Sequence, residues 1–213
     1  MDSNVQWHNE TLGKRAVAAL EKNKFKAAYF SDRASAVAHL LSLVPEGSSV
    51  GLGGSETGRA LQIRDKLTQK GCTLLDHQKP GLSREEVLAI RRKQLTSNVF
   101  ICSTNALTLN GEMVNVDGTG NRVGAMIFGP ERVIILTGTN KIVEDLDAAQ
   151  KRIEHIAGPI NNKRLNFPNP CATTGQCMDC RSETRICNIT TILRRCPPLT
   201  DIHVVVVGED LGY

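Results

Sequence analysis

The chain has 213 residues, of which 40% are hydrophobic and 23% are charged. These proportions are typical of a globular protein and exclude disordered, fibrous and collagen-like chains, and the length favours a single domain, residues 1–213. The formal net charge is only +4, and 4% of the residues are aromatic, so the composition does not favour nucleic-acid binding.

The first half of the chain alternates between helix and strand patterns. Apolar residues at helical spacing predict a helix over 5–22, and further helices begin after Ser31-Asp32, at Thr57 and at Ser83. Ser83 and Glu86 also have the spacing of a capping box. Short apolar runs predict four strands, at 27–30, 49–52, 73–75 and 98–102.

The second half continues this alternation. Two apolar runs, 124–128 and 132–136, predict strands joined by a turn at Gly129-Pro130. A helix over 142–156 follows, and its pattern ends at Gly158-Pro159. A last strand, 203–207, is apolar on both faces and is expected inside the sheet. The sequence therefore predicts an α/β fold with a largely parallel sheet flanked by helices.

A glycine-rich loop leaves the strand predicted at 49–52 and enters the next helix. Its backbone amides and the start of the helix are suited to hold an anion, with Ser55 and Thr57 as hydroxyl donors beside Gly53 and Gly54. The loop is neither a dinucleotide-binding nor a P-loop motif. A tight turn from strand to helix without ligand is the alternative.

A second polar segment, 104–122, follows the strand predicted at 98–102. Loops at the carboxyl ends of parallel strands are common ligand sites, so Glu112 and Asp117 are candidate catalytic carboxylates. Arg122 is a candidate partner for an anionic substrate. The alternative is a β-hairpin with turns at Asn110-Gly111 and Asp117-Gly118.

Three further polar side chains belong to the same candidate site. Asn105 and Asn121 lie in the polar segment and are candidate ligand-binding residues. Lys141 follows the strand predicted at 132–136, so it is expected to reach the same crevice or to lie in solvent at a helix start. The expected ligand is a small anion.

Four cysteines are clustered near the C-terminus with the spacing C-x5-C-x2-C-x6-C. Cys171, Cys177, Cys180 and Cys187 form a metal-ligand pattern, with reduced thiols in a loop as the alternative. The uneven spacing and the lack of histidine favour a 4Fe-4S cluster over zinc. The cysteines lie in 159–200, which lacks a core pattern and is interpreted as an insertion folded over the domain.

The remaining cysteines and the N-terminal residues both relate to the expected cellular compartment. Cys72 and Cys102 are expected to be core thiols, and Cys196 is not assigned as a ligand. The N-terminal residues lack the basic and apolar regions of a secretory signal, and no segment is long enough to span a bilayer. We therefore expect a cytoplasmic protein whose thiols are reduced.

Four segments, in this order, resemble the lactate-utilisation (LUD) domain family. They are Gly51 to Thr57 (GLGGSET), Ser103 to Glu112 (STNALTLNGE), Asp117 to Val123 (DGTGNRV) and Gly138 to Lys141 (GTNK). The C-terminal cysteine motif is similar to that of the stand-alone form of this domain, found mainly in anaerobic bacteria and archaea. The resemblance covers nearly the whole chain.

The resemblance implies a fold and a role. The fold is that of the NagB, ribose-phosphate isomerase and CoA-transferase group. The role is association with lactate oxidation through iron–sulfur partners, so the expected function is an iron–sulfur redox component with a redox protein partner. The alternative is an enzyme of the CoA-transferase or sugar-phosphate isomerase type, in which the cysteine site is structural and holds zinc.

Overall fold

The computed structural model describes residues 2–213, which form two sheets packed with helices. The strands are β1 (Lys26–Phe30), β2 (Ser49–Leu52), β3 (Thr73–Leu75), β4 (Val99–Ser103), β5 (Ala106–Thr108), β6 (Met113–Asp117), β7 (Arg132–Gly138), β8 (Ile142–Val143), β9 (Ile189–Leu193) and β10 (Asp201–Val207). The larger sheet has the order β1-β10-β7-β4-β2-β3, and all of its neighbouring strands are parallel. The predicted α/β fold with a parallel sheet is confirmed.

The helices surround this sheet. They are α1 (Ser3–Lys22), α2 (Arg33–Leu43), α3 (Glu56–Ala60), α4 (Ile63–Gln69), α5 (Arg84–Gln94), α6 (Asn121–Ile127), α7 (Leu146–Arg152), α8 (Gly158–Arg164) and α9 (Cys171–Thr174). The capping box predicted for Ser83 and Glu86 is present at the start of α5. No helix within residues 2–213 has the length and apolar character needed to cross a membrane.

Two hydrophobic cores lie on opposite faces of the larger sheet. Alternate residues of β7 divide between them: Ile134 packs with α2 and α4, whereas Val133 and Ile135 pack with α1 and α6. This division follows from the two-residue period of a strand. The predicted strand at 203–207 is β10, which lies between β1 and β7, and Cys72 and Cys102 are buried as predicted.

One predicted strand is wrong. Residues 124–127 form the end of helix α6 (Asn121–Ile127), and Phe128 is its extended C-cap, so no strand is formed. Val123, Ala125 and Met126 are buried against the larger sheet. A five-residue apolar run fits a strand and one buried face of a short helix equally well, and contacts with the sheet decide between the two.

Two predicted helices differ from those observed. The helix predicted from Thr57 to Gln69 is broken into α3 and α4 at Gln62, whose φ of 51° is left-handed. The helix predicted at 142–156 begins as strand β8 and becomes helical only at Leu146. It also continues beyond Gly158-Pro159, through a π-turn into α8, because proline is tolerated in the first turn of a helix.

The smaller sheet has the order β8-β5-β6-β9. Strands β5 and β6 form an antiparallel hairpin whose connecting turn contains Asn110-Gly111, as the hairpin alternative predicts. Strand β9, from the cysteine-containing segment 159–200, pairs antiparallel with β6 over five residues. This pairing holds the segment against the 104–122 segment.

Candidate functional site

A cavity of about 430 Å³ opens at the carboxyl ends of the parallel strands β2, β4 and β7. Most of the predicted site residues line it together: Gly53, Gly54, Ser55, Asn105, Asp117, Asn121, Arg122 and Lys141. These residues come from separate stretches of the chain and meet because parallel strands end at the same edge of the sheet.

Lys141 is the most deeply buried cation of the cavity, with 3% of its surface exposed. Its Nζ donates to Thr57 Oγ1 and to Ser103 Oγ, each at 3.0 Å, and lies 3.4 Å from the carbonyl oxygen of Thr104. All three partners are neutral. Thr57, predicted to bind the ligand, is fully buried and does not line the cavity; its hydroxyl contacts Lys141 instead.

The charge of Lys141 is destabilised by its surroundings. Burial, together with the nearby guanidinium groups of Arg152 and Arg122, lowers the pKa of its amine to about 7. A buried ammonium loses its hydration, and nearby positive charges add repulsion. The neutral amine, which has a nucleophilic lone pair, is thus well populated near neutral pH.

Arg122 lines the cavity, but its donors are committed to the chain. Its Nη atoms donate to Ser103 O, Asn115 Oδ1, Asn105 Oδ1 and Val116 O at distances of 2.8–3.0 Å. Its Nε lies 3.4 Å from Asp117 Oδ2. The four Nη hydrogens are thus accepted by the chain and the Nε faces Asp117, so Arg122 joins β4, β6 and the 117–122 loop rather than facing a ligand.

The glycine loop takes a tight path between β2 and α3. A Cβ on Gly53 would lie 2.8 Å from Cys102 Cβ and 3.0 Å from Phe100 Cζ, so only glycine fits there. Gly54 has a left-handed φ of 71°. Ser55 Oγ accepts from Gly58 N and caps α3, which has only five residues, so the loop combines the predicted turn with a position on the cavity wall.

The two predicted carboxylates are separated. Asp117 lines the cavity, where its Oδ1 accepts from the amides of Thr119 and Gly120. Glu112 lies outside the cavity, in the β5–β6 turn, where its Oε1 pairs with Arg194 at 2.5 Å. The sequence places both carboxylates near a strand end, but the β5–β6 hairpin places Glu112 away from the carboxyl edge of the larger sheet.

Several cavity residues were not predicted from the sequence: His77, Arg91, Ser103, Thr104, Arg164 and Tyr213. Arg164 is paired with Glu56 at 3.3 Å. Arg91 has a buried Nε without a hydrogen-bond partner in residues 2–213. Burial and the nearby Arg91 charge lower the pKa of His77. His77 lies just after the carboxyl end of β3, so its position relative to the predicted strand at 73–75 could have placed it at this site.

The cysteine-containing segment forms part of the cavity wall. Ile186 lines the cavity, and a Cβ on Gly118 would lie 3.2 Å from Ile186 Cα. Asn188 donates from its backbone to Asp117 O at 3.1 Å and from its side chain to Gly118 O at 3.0 Å. The residue after Cys187 is thus bound directly to the loop that carries Asp117.

The four clustered thiols are free and partly exposed. Burial raises the pKa of Cys171, and Cys180, Cys177 and Cys187 raise it further, so the four lie within electrostatic range of one another. Arg185 donates to the carbonyl oxygens of Cys180 at 2.5 Å and Cys187 at 3.1 Å.

The four cysteine thiols are the kind of ligand that a four-thiolate metal centre uses. Within residues 2–213, no three Cys, His, Asp or Glu side chains are arranged as a metal-binding group. Cys196 lies apart, with its Sγ against Pro197 O and Thr200 O.

The parallel sheet with a polar cavity at its carboxyl edge defines an α/β protein, and in open α/β sheets this edge is where ligands commonly bind. The chain belongs to the LUD domain family, whose model matches residues 13–207. The crystal structure of a DUF162 family protein from Deinococcus radiodurans is similar, with a TM-score of 0.52 and 11% identity, over 93% of this chain and 98% of that chain. This likeness shows the fold. No curated protein sequence matches the chain at a significant level.

Proposed function

We propose that this LUD domain protein is an iron–sulfur redox component of lactate or related organic-acid utilisation. The small organic anion binds in the cavity at the carboxyl edge of the sheet, and Cys171, Cys177, Cys180 and Cys187 hold a 4Fe-4S cluster. The observation that carries the proposal is the direct bonding of Asn188, next to Cys187, to the cavity loop at Asp117 and Gly118.

The residues of the cavity support an anionic ligand. Arg91 lines the cavity and pairs with no acid within residues 2–213, whereas Arg122 and Arg164 are already paired with acids. A carboxylate accepts charge-assisted hydrogen bonds from such a guanidinium. Arg91 is therefore the side chain that we expect to hold the ligand's carboxylate.

A cluster bound by the four thiolates would supply one-electron transfer. Oxidation of a 2-hydroxy acid to a 2-oxo acid releases two electrons and two protons, so a redox protein partner has to receive the electrons one at a time. The cavity residues of this chain bind and orient the acid. Arg185 compensates part of the negative charge of the thiolates at Cys180 and Cys187.

Anaerobically purified protein is expected to be brown and to contain iron and acid-labile sulfide. Replacement of Cys177 or Cys180 by alanine should abolish both the colour and the iron, because each removes one of four ligands. Cys196→Ala is the matched control and should retain them, since its thiol lies apart from the other four. A colourless wild-type protein with stoichiometric zinc would contradict the redox role.

Lactate binding is expected to depend on Arg91. Loss of a hydrogen bond to a charged group costs about 1.5–3 kcal/mol, so Arg91→Gln should weaken binding about 10- to 100-fold in isothermal titration calorimetry. The matched control is Arg92→Gln, because Arg92 is exposed on the same helix. Equal affinities of the two variants would show that the carboxylate lies elsewhere.

A second candidate function is a small-molecule enzyme of the CoA-transferase or sugar-phosphate isomerase type with a structural zinc site. The buried amine of Lys141 in the cavity favours it, because such an amine serves as a nucleophile or a base. Metal analysis separates the two candidates, since zinc without iron supports only the second.

A further inference from the structure

Lys141 has the position of a reactive amine rather than of an ion-pair partner. It lines the cavity, and its Nζ contacts only the oxygens of Thr57, Ser103 and Thr104 among the described residues. Within residues 2–213, no carboxylate contacts the ammonium form there. A lysine that is buried without an acid favours its neutral form.

The hydrogen-bond network accepts either protonation state. Thr57 Oγ1 also lies 3.1 Å from Leu211 O, to which it donates. Ser103 Oγ lies 3.2 Å from Thr104 O and is free to turn its hydrogen toward the amine instead. Ser103 can thus donate to the lone pair of a neutral Lys141. The hydroxyls of Ser103 and Thr57 are both within hydrogen-bond distance of the amine.

The charges that face Lys141 come from several elements. Arg122 from α6 and Arg152 from α7 both disfavour the ammonium. The acids of the same cavity, Asp117 from β6 and Glu56 from α3, are paired with Arg122 and Arg164 respectively. The balance of groups around the amine is therefore positive or neutral, and the cavity attracts an anionic substrate toward it.

We propose that Lys141 forms a Schiff base with the carbonyl group of a small 2-oxo acid bound in the cavity. This rests on the proposed function, because a 2-oxo acid is the oxidised form of the expected 2-hydroxy acid. The Nζ lone pair attacks the carbonyl carbon, the two amine protons pass in turn to the carbonyl oxygen, and that oxygen leaves as water as the C=N bond forms. No oxidant is consumed, and Ser103, which lines the cavity beside Nζ, relays the protons.

Borohydride trapping with pyruvate tests this reaction. Reduction of the C=N bond should raise the mass of the full-length protein by the mass of pyruvic acid less one oxygen atom, and peptide mapping should place the adduct on Lys141. Lactate is the matched ligand, because it has the same carboxylate but no carbonyl, and it should give no adduct. Lys141→Arg should abolish trapping, whereas Lys151→Arg, at an exposed position, should not.

The mapping in wild-type protein keeps the test valid if the Lys141 variant fails to fold. No adduct, or adducts spread evenly over exposed lysines, would overturn the Schiff base. Lactate binding by calorimetry is measured separately, so its presence without an adduct rejects only the Schiff base. Absence of lactate binding counts against the proposed function, even where pyruvate is trapped.

Discussion

Replacement of Lys141 by methionine is expected to flatten the dependence of the free energy of unfolding on pH above pH 7. The amine has a pKa of about 7 in the folded protein against 10.5 for the ordinary side chain. Between these values the unfolded chain binds a proton that the folded chain does not, so stability falls as the pH decreases from 10.5 to 7. Below pH 7 both states are protonated, and the penalty stays constant.

The size of the effect makes it measurable. From pH 7 to pH 9.5 the wild type should gain about 3 kcal/mol relative to Lys141→Met in urea unfolding experiments. The substitution leaves no hydroxyl unpaired, because Thr57 retains Leu211 O and Ser103 retains Thr104 O. Lys151→Met, at an exposed site, should follow the wild-type curve. Parallel curves for wild type and Lys141→Met would show that the amine is not desolvated.

The elements that the sequence predicts well are those with one clear period or an unambiguous apolar run. β10 contains four consecutive valines and lies inside the sheet, where both of its faces are covered. The end of β2 and its glycine loop are marked by Gly53 and Gly54. In both cases the local pattern agrees with the tertiary environment.

Other elements depend on contacts that no local pattern reveals. β8 has only two residues and exists because it pairs with β5. β9 lies in the segment with little periodicity and is held by β6. Residues 124–128 are apolar enough for a strand, but most of them belong to α6, where Ala125 and Met126 pack against the larger sheet. Short elements of this kind take their structure from their partners.

The candidate site also contains some residues that the sequence predicts and others that depend on tertiary contacts. Residues that directly follow a parallel strand, such as Asn105 and Lys141, can be assigned to one edge from the sequence alone. Arg91 and Arg164 lie on helices, and their direction depends on how those helices pack. Glu112 is the opposite case: it follows a strand in the sequence and is predicted at the site, but the hairpin turns it toward Arg194.

Replacement of Arg122 by alanine is expected to destabilise the protein by about 3–5 kcal/mol, the range for removal of one partner of a buried ion pair. The side chain is 14% exposed, and its five donors hold acceptors on β4, β6 and the 117–122 loop. Loss of the guanidinium leaves the carboxylate of Asp117 without its cation. It also leaves the buried amide oxygen of Asn115 without its hydrogen-bond donor. Each unsatisfied buried group adds its own desolvation penalty.

Lysine at this position should recover only a small part of the loss, because an ammonium is a compact charge and cannot replace a planar fork of five donors. Urea unfolding of Arg122→Ala, Arg122→Lys and the exposed control Arg92→Ala measures the difference, and the control should stay within about 0.5 kcal/mol of wild type. Because Arg122 joins β4 to the loop that Asn188 contacts, the alanine variant should also lose lactate binding. An Arg122→Ala protein as stable as the control would mean that the strand ends and the cysteine-bearing wall are held together by other contacts.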